Sequence, residues 1–389
     1  MPPLPRRLFV AKLVYFGWFA AIGAYVPFIS LYYRQVGLDL AQIGVLIAVT
    51  GAVQLLAAPL WGLLADALRL RRALLPLAVL GSIPPALLLI VASSFEALFA
   101  IAVVQSLFMA PVVALADSAT MALLGERRDR YGTQRVWGGV GWSLSTLAFG
   151  WLSQRLGYGA AFAGYGALCA LTACAALALP RPALAAVNLR DAFRALVRDR
   201  RWASFLGCVL LIGCCGAVVN SFLSLFLSDL GASDTQIGFA YTIASLSELP
   251  VMALSPLLLR RWGSRPLLLL AGMLYALRMG LYIAAPAVGW ALATQLLHGL
   301  CFGALWTAGV VEAQRLAPPG LEATAQSLFG MAVFGVAATL ASAIGGQIYR
   351  DFGVLALFGI AGALAFLGAL GLLPGLSLGR RRTEPQTEP

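Results

Sequence analysis

"FISLYYRQVGLDLAQIG" (28–44) returns 194 residues later as "FLSLFLSDLGASDTQIG" (222–238). Phe28, Ser30, Leu31, Gly37, Gln42, Ile43 and Gly44 each meet an identical residue, and the register continues without a gap until "RRALL" (71–75) meets "RPLLL" (265–269). Leucine matches are cheap in an apolar chain, whereas matches of Gly, Gln, Ser and Arg are not. The chain is built from two copies of one unit.

Composition identifies the solvent of that unit. Hydrophobic residues make up 61% and charged residues 11% of the 389, and the mean hydropathy is +0.88. A soluble domain is about 45–50% apolar and about 25% charged, so this balance implies a polytopic membrane protein. A bilayer-crossing helix takes about 20 mostly apolar residues. The chain offers twelve such stretches, the first near 8–33 and the last near 353–373. Their long unbroken runs lack the alternation of a barrel. The expected fold class is therefore all-α, with twelve transmembrane helices in two pseudo-symmetric six-helix bundles. The first stretch has no A-x-A cleavage site and reads as a retained helix.

The bundles are expected at 1–179 and 202–373. Between them, "PRPALAAVNLRDAFRALVRDRR" (180–201) reads as a cytoplasmic linker with an amphipathic helix on the inner membrane surface. Asn188 caps that helix, and Leu189, Phe193, Leu196 and Val197 share one face. Residues 374–389 form a cytoplasmic tail. Six helices separate the repeats, so the copies share one orientation about an axis along the membrane normal.

The net charge of +11 has a topological cause. With the N-terminus inside, cytoplasmic segments collect 22 arginines and external loops only Arg34, Arg155 and Arg350. The positive-inside rule then places both termini in the cytoplasm. The basic runs are explained by orientation toward lipid, which excludes nucleic acid as a partner. Cys169, Cys174, Cys208, Cys214, Cys215 and Cys301 all lie inside apolar spans, without disulfide or zinc spacing, and read as packing residues. No G-x-x-x-x-G-K-[ST] loop and no H-E-x-x-H motif occurs. The sequence thus points to no ATP motor, no metal, no cofactor and no enzyme.

Charges inside spans are the functional candidates, since each costs roughly 2.5–3.5 kcal/mol to insert. Asp117, in "LADSATMALLGERRDRYGTQRVWGGVGW" (115–142), lies about 9 Å from the inner end of its span, too deep to snorkel. Its bland reading is a structural ion pair. Arg135 taken alone is an inside anchor, and Trp142 taken alone a packing aromatic. Seven residues apart, however, they share one helix face. Glu248 stands mid-span in "IASLSELPVMA", two residues before Pro250; the proline frees a backbone carbonyl and kinks the helix, as happens beside cavities. By the repeat register Gln54 falls on Glu248, so the two are expected to face each other across the axis. Arg278 has no acid in its own span and needs one from another helix; Glu248 is the expected partner. His298, the single histidine, divides evenly between an interior hydrogen-bonded residue and a proton carrier. Lys12 reads as an anchor, and Glu312 with Arg315 as a simple pair near the surface.

Taken together, "IGAYVPF" (22–28), "APLWGLLADALRLRR" (58–72), "RYGTQRVWGGVGW" (130–142) and "LLAGMLYALRMG" (269–280) resemble the major facilitator superfamily. The branch they resemble holds lactose permease, the oligosaccharide/proton symporters and the phenylpropionate permeases. The resemblance implies that Asp117 and Arg135 hydrogen-bond a solute on which Trp142 stacks, with Tyr25 and Gln54 also lining the site. It implies a proton-coupling set of Glu248, Arg278 and His298, and a gating loop at Gly62, Asp66, Arg71 and Arg72. The chain also departs from the pattern. Cys301 stands where those permeases carry the coupling acid, Gln295 and Asn220 replace a charged pair, and Arg69 replaces the loop's usual glycine.

The sequence reading is thus a secondary transporter of a small polar or ring-containing solute (a sugar or glycoside, an aromatic acid or a nucleoside). It works by alternating access and proton symport, as a monomer in a bacterial inner membrane, with the proton gradient as its energy source. The alternatives are a proton-driven exporter of the same fold and a membrane receptor or channel-like protein without a transport cycle.

Overall fold

The computed structural model describes residues 4–68, 73–125, 127, 130–179, 199–318 and 321–373. The amphipathic linker helix and the C-terminal tail therefore lie outside the described residues, apart from the linker's last three positions. Every regular element among the described residues is helical. We number them α1 (Leu4–Gln35), α2 (Leu40–Leu68), α3 (Leu74–Gly81), α4 (Ile83–Leu88), α5 (Phe95–Met109), α6 (Val112–Leu124), α7 (Tyr131–Leu156), α8 (Tyr158–Ala176), α9 (Arg200–Asp229), α10 (Asp234–Trp262) and α11 (Ser264–Ile283). There follow α12 (Val288–Thr294), α13 (Ala304–Leu316), α14 (Glu322–Gly330) and α15 (Ala337–Leu370).

Among the described residues nine helices are long and apolar enough to cross a membrane, against twelve spans read from the sequence. The differences have local causes. The third span is two short helices, because Pro84 and Pro85 after Ser82 remove two backbone donors where the first helix ends. The fifth, α7, is long enough but polar, carrying Gln134, Arg135, Gln154 and Arg155. The last two spans run on as one helical element through Gly353, whose φ of 83° turns the chain where they meet.

The repeat explains its own conserved letters. Gly37 and Gly231 both take positive φ, 98° and 86°, a conformation that ends a helix cheaply only without a Cβ. Gln42 and Gln236 then start the next helices as capping boxes. Gln42 accepts from the Asp39 N–H at 3.0 Å while its own N–H donates to Asp39 at 2.8 Å. Gln236 does the same with Ser233 at 2.9 and 3.3 Å.

Contacts divide the chain into two compact units. The first joins residues 1–186 to 221–246. In it the C-terminal end of α9 and the N-terminal half of α10 pack on α1 and α7. Ser224 donates to the Pro27 carbonyl at 2.6 Å, Thr242 to the Ser143 carbonyl at 2.9 Å, and Tyr158 to Asp234 at 3.0 Å. Arg34 pairs with Asp229 at 2.5 Å. At Gly238 the backbones of α10 and α7 come so close that a Cβ would strike the Thr146 carbonyl. The second unit joins residues 187–220 to 247–389. Its core includes an aromatic run in which Trp202, Phe205, Phe329, Trp306, Phe334 and Phe302 touch in turn and end on His298. Between α12 and α13 the helix tightens to a 3₁₀ turn (Gln295–Leu297) and then widens to a π turn (Gly299–Gly303). Such irregular turns cluster at functional positions.

Candidate functional site

The first unit gathers one acid, one base and a set of rings. Gly138 and Gly141 let α7 lie directly on α1: a Cβ at 138 would press on the Phe19 ring, and one at 141 would strike the Phe16 carbonyl. That closeness lays the Arg135 guanidinium on the Phe19 ring, 4.3 Å from its centre, and 5.4 Å from that of Tyr15. Asp117 on α6 accepts a hydrogen bond from the Tyr15 hydroxyl at 2.7 Å. Arg135 Nε stands 4.0 Å from the same carboxylate oxygen, with both side chains 34% exposed. That distance is beyond a hydrogen bond, and the guanidinium makes none to any described residue. Asp117 and Arg135 thus attract each other while keeping most of their hydrogen-bonding capacity open. Trp142, on the Arg135 face of α7, meets Tyr241 edge-on at 6.3 Å.

Other expected members are elsewhere. Tyr25 is buried in packing against Phe162 and Tyr165, at 5.9 and 5.3 Å, and is not brought to the Asp117–Arg135 pair. Gln54 is exposed on α2. Gly62 and Asp66 fall on α2, whereas Arg71 and Arg72 lie outside the described residues. Lys12, expected as an anchor, holds its ammonium over the Trp137 ring at 5.8 Å. Tyr15 and Phe19 were not singled out by the sequence. They sit in "YFGWF" (15–19), where four of the five residues are aromatic.

The second unit corrects one expectation. Arg278 was expected to pair directly with Glu248, but a histidine stands between them. Arg278, fully buried, reaches His298 Nδ1 at 2.9 Å and donates to Gln295 Oε1 at 2.7 Å. His298 Nε2 lies 3.0 Å from Glu248. A guanidinium can only donate, so Nδ1 is the acceptor and the imidazole proton sits on Nε2, directed at the carboxylate. Phe302 stacks on the imidazole at 5.6 Å and fixes its plane. The close passage of α10 sets this geometry. Gly299 has no side chain to meet the Ser247 backbone, and its N–H donates to Ser247 Oγ at 2.9 Å. Gln295, in the family's lysine position, is committed: its amide donates to Tyr282 at 2.8 Å and to the Ala291 carbonyl at 3.1 Å. Cys301, in the position of the missing acid, is buried.

Glu312 is also more than half of a surface pair. It is fully buried and accepts from Ser264 at 2.6 Å, Arg265 at 2.7 Å and Arg315 at 2.9 Å. The partners from α11 lie 47 and 48 residues away in sequence, so only the fold reveals them.

This arrangement of paired charges inside apolar helices is what a solute carrier needs, and the comparisons agree. A family model described as "MFS_1 like family" matches residues 8–360. The chain belongs to that family. It is a membrane transporter of the major facilitator type rather than an enzyme, and an integral membrane protein. Similar proteins include a maltose permease of Geobacillus stearothermophilus, 30% identical over 94% of each chain. A probable 3-phenylpropionic acid transporter of Escherichia coli (strain K12) is 29% identical over 74% of this chain and 76% of its own. Among solved structures, the nucleoside transporter NupG superposes with a TM-score of 0.83 at 19% identity, covering 96% of this chain and 99% of its own. That likeness carries the fold alone.

Proposed function

We propose that this transporter carries a hydroxyl-bearing ring solute, of the sugar, glycoside or nucleoside kind, by proton symport across a bacterial inner membrane with both termini inside. The open Asp117–Arg135 pair carries this reading. An oxygen making hydrogen bonds of about 2.8 Å to both groups across the 4.0 Å gap subtends roughly 90° at that oxygen. A hydroxyl that accepts from Arg135 and donates to Asp117 satisfies this. A carboxylate does not, because on Arg135 it would stand about 4 Å from Asp117. The repulsion would be about 1 kcal/mol in bulk water and about 4 kcal/mol near a protein surface. Trp142 offers a face for the ring. The similarity to a maltose permease favours the same class, and the similarity to a 3-phenylpropionic acid transporter favours the other.

Proton coupling is assigned to the chain Glu248–His298–Arg278. Glu248 is its single carboxylate, and Cys301 brings none. No bound cofactor is required, because the proton gradient supplies the energy, and the protein works as a monomer.

The test is counterflow in proteoliposomes with labelled maltose, uridine and 3-phenylpropionate. Maltose or uridine should exchange, a protonophore should abolish accumulation, and Arg135→Leu should abolish both. Exchange of 3-phenylpropionate alone would overturn the hydroxyl reading. Accumulation indifferent to the protonophore would overturn the coupling.

A further inference from the structure

A free carboxylate and a free guanidinium at this range close onto each other, at about 2.7–2.9 Å and often through two bonds. Asp117 and Arg135 do not, although both are partly exposed and 4.0 Å apart. Two restraints from α1 are visible. The Tyr15 hydroxyl donates at 2.7 Å to Oδ1, the oxygen nearest the guanidinium. The rings of Tyr15 and Phe19, one helical turn apart, hold the guanidinium by its face. Tyr15 is 1% exposed, so it is packed in place and cannot swing aside. The Tyr131 hydroxyl also interacts with the same carboxylate. The second unit differs: both terminal nitrogens of Arg278 are bonded, to His298 and Gln295, whereas the Arg135 guanidinium donates to no described residue.

We propose that Tyr15 is a positioning residue that holds Asp117 off Arg135 and keeps the slot between them open for a solute oxygen. The slot's use by solute rests on the functional reading above. The holding-apart does not. Without the hydroxyl, Oδ1 loses the Tyr15 donor and is released to close on Arg135, 4.0 Å away. The empty protein then pairs the two groups, and solute must break that pair to bind. Affinity falls, while the step that moves bound solute is left alone.

The test reads the geometry first. Purified full-length protein is treated with phenylglyoxal, and modification of Arg135 is followed by peptide mass spectrometry. In wild type the guanidinium donates no hydrogen bond to a described residue and reacts. In Tyr15→Phe, which keeps the ring, the rate at Arg135 should fall about tenfold through pairing with Asp117. In the double variant Tyr15→Phe/Asp117→Asn it should return to the wild-type rate, because the amide carries no charge to pair. If the phenylalanine variant aggregates, Tyr15→Met serves with the same expectation. An unchanged rate in the single variant, or no recovery in the double, overturns the proposal. A structural role alone would not produce recovery on removing a second group. In counterflow with labelled maltose and uridine, Tyr15→Phe should raise KM about tenfold with Vmax unchanged, matching the lost rate of modification. Should Arg135→Leu still carry the solute, the functional reading fails and the phenylglyoxal result stands by itself.

Discussion

Replacing Glu248 by glutamine removes a charge and leaves a shape. The glutamine carbonyl still accepts from His298 Nε2 at the 3.0 Å that Glu248 occupies, so the histidine keeps its tautomer and its bond to Arg278. What is lost is the compensation of a buried guanidinium. From Arg278 through the imidazole to the carboxylate spans about 8 Å, and two unit charges at that distance interact by about 2 kcal/mol at an effective dielectric of 20. Glu248 is 22% exposed, so solvent reduces that figure, and a loss of about 1–2 kcal/mol in stability is expected. The protein should fold and insert, which makes its transport interpretable. In proteoliposomes Glu248→Gln should exchange labelled solute at equilibrium and fail to concentrate it when a proton gradient is imposed. Accumulation at the wild-type level would remove Glu248 from the proton path and move the suspicion to Asp117 or His298.

Other outcomes follow from the same geometry. Gly299→Ala places a Cβ against the Ser247 backbone and should push α10 away at a cost of about 1–3 kcal/mol; its accumulation should fall more than its exchange, and equal losses would show general misfolding instead. Glu312→Ala leaves the mostly buried Arg265 without its carboxylate and should cost about 3–5 kcal/mol, seen as an earlier loss of monodisperse protein on heating in detergent; an unchanged melting profile would refute a structural lock. Asp229→Asn breaks the partly exposed pair with Arg34 and should change stability by no more than about 1 kcal/mol in the same assay. Trp142→Tyr should retain weak counterflow and Trp142→Ala should not, since a stacking face is worth about 1–3 kcal/mol; equal activity of the two would exclude stacking.

The features legible in the sequence were those with local causes. Gly37 and Gly231 end helices through their own φ, and Gln42 and Gln236 cap helices three residues from their partners, so a repeat search finds both. Asp117 stood out because a charge in an apolar run is conspicuous wherever its partner lies, whereas Arg135 became a candidate through its spacing to Trp142 and the family resemblance. The bridge through His298 was not legible, because it depends on the depth at which α10 crosses Gly299 and on the π turn beside it. Tyr15 was hidden by its aromatic neighbours, and the burial of Glu312 by the 47 residues that separate it from Arg265. Among the described residues, nine helices are long and apolar enough to cross a membrane against the twelve stretches read from the sequence; they differ where proline divides a helix, where α7 is polar, and where Gly353 turns the chain within one helical element.

The imidazole of His298 has one lone pair to give, on Nδ1, and Arg278 already holds it. A second proton on that ring has nowhere to go except the same lone pair. Proton and arginine are therefore rivals for a single site, and each arrival is a departure. The departing guanidinium is fully buried and keeps Gln295 as an acceptor, so the nitrogen released by the histidine must find another acceptor by moving or by drawing one in. Chemistry at one nitrogen is thereby converted into displacement of a helix-borne charge.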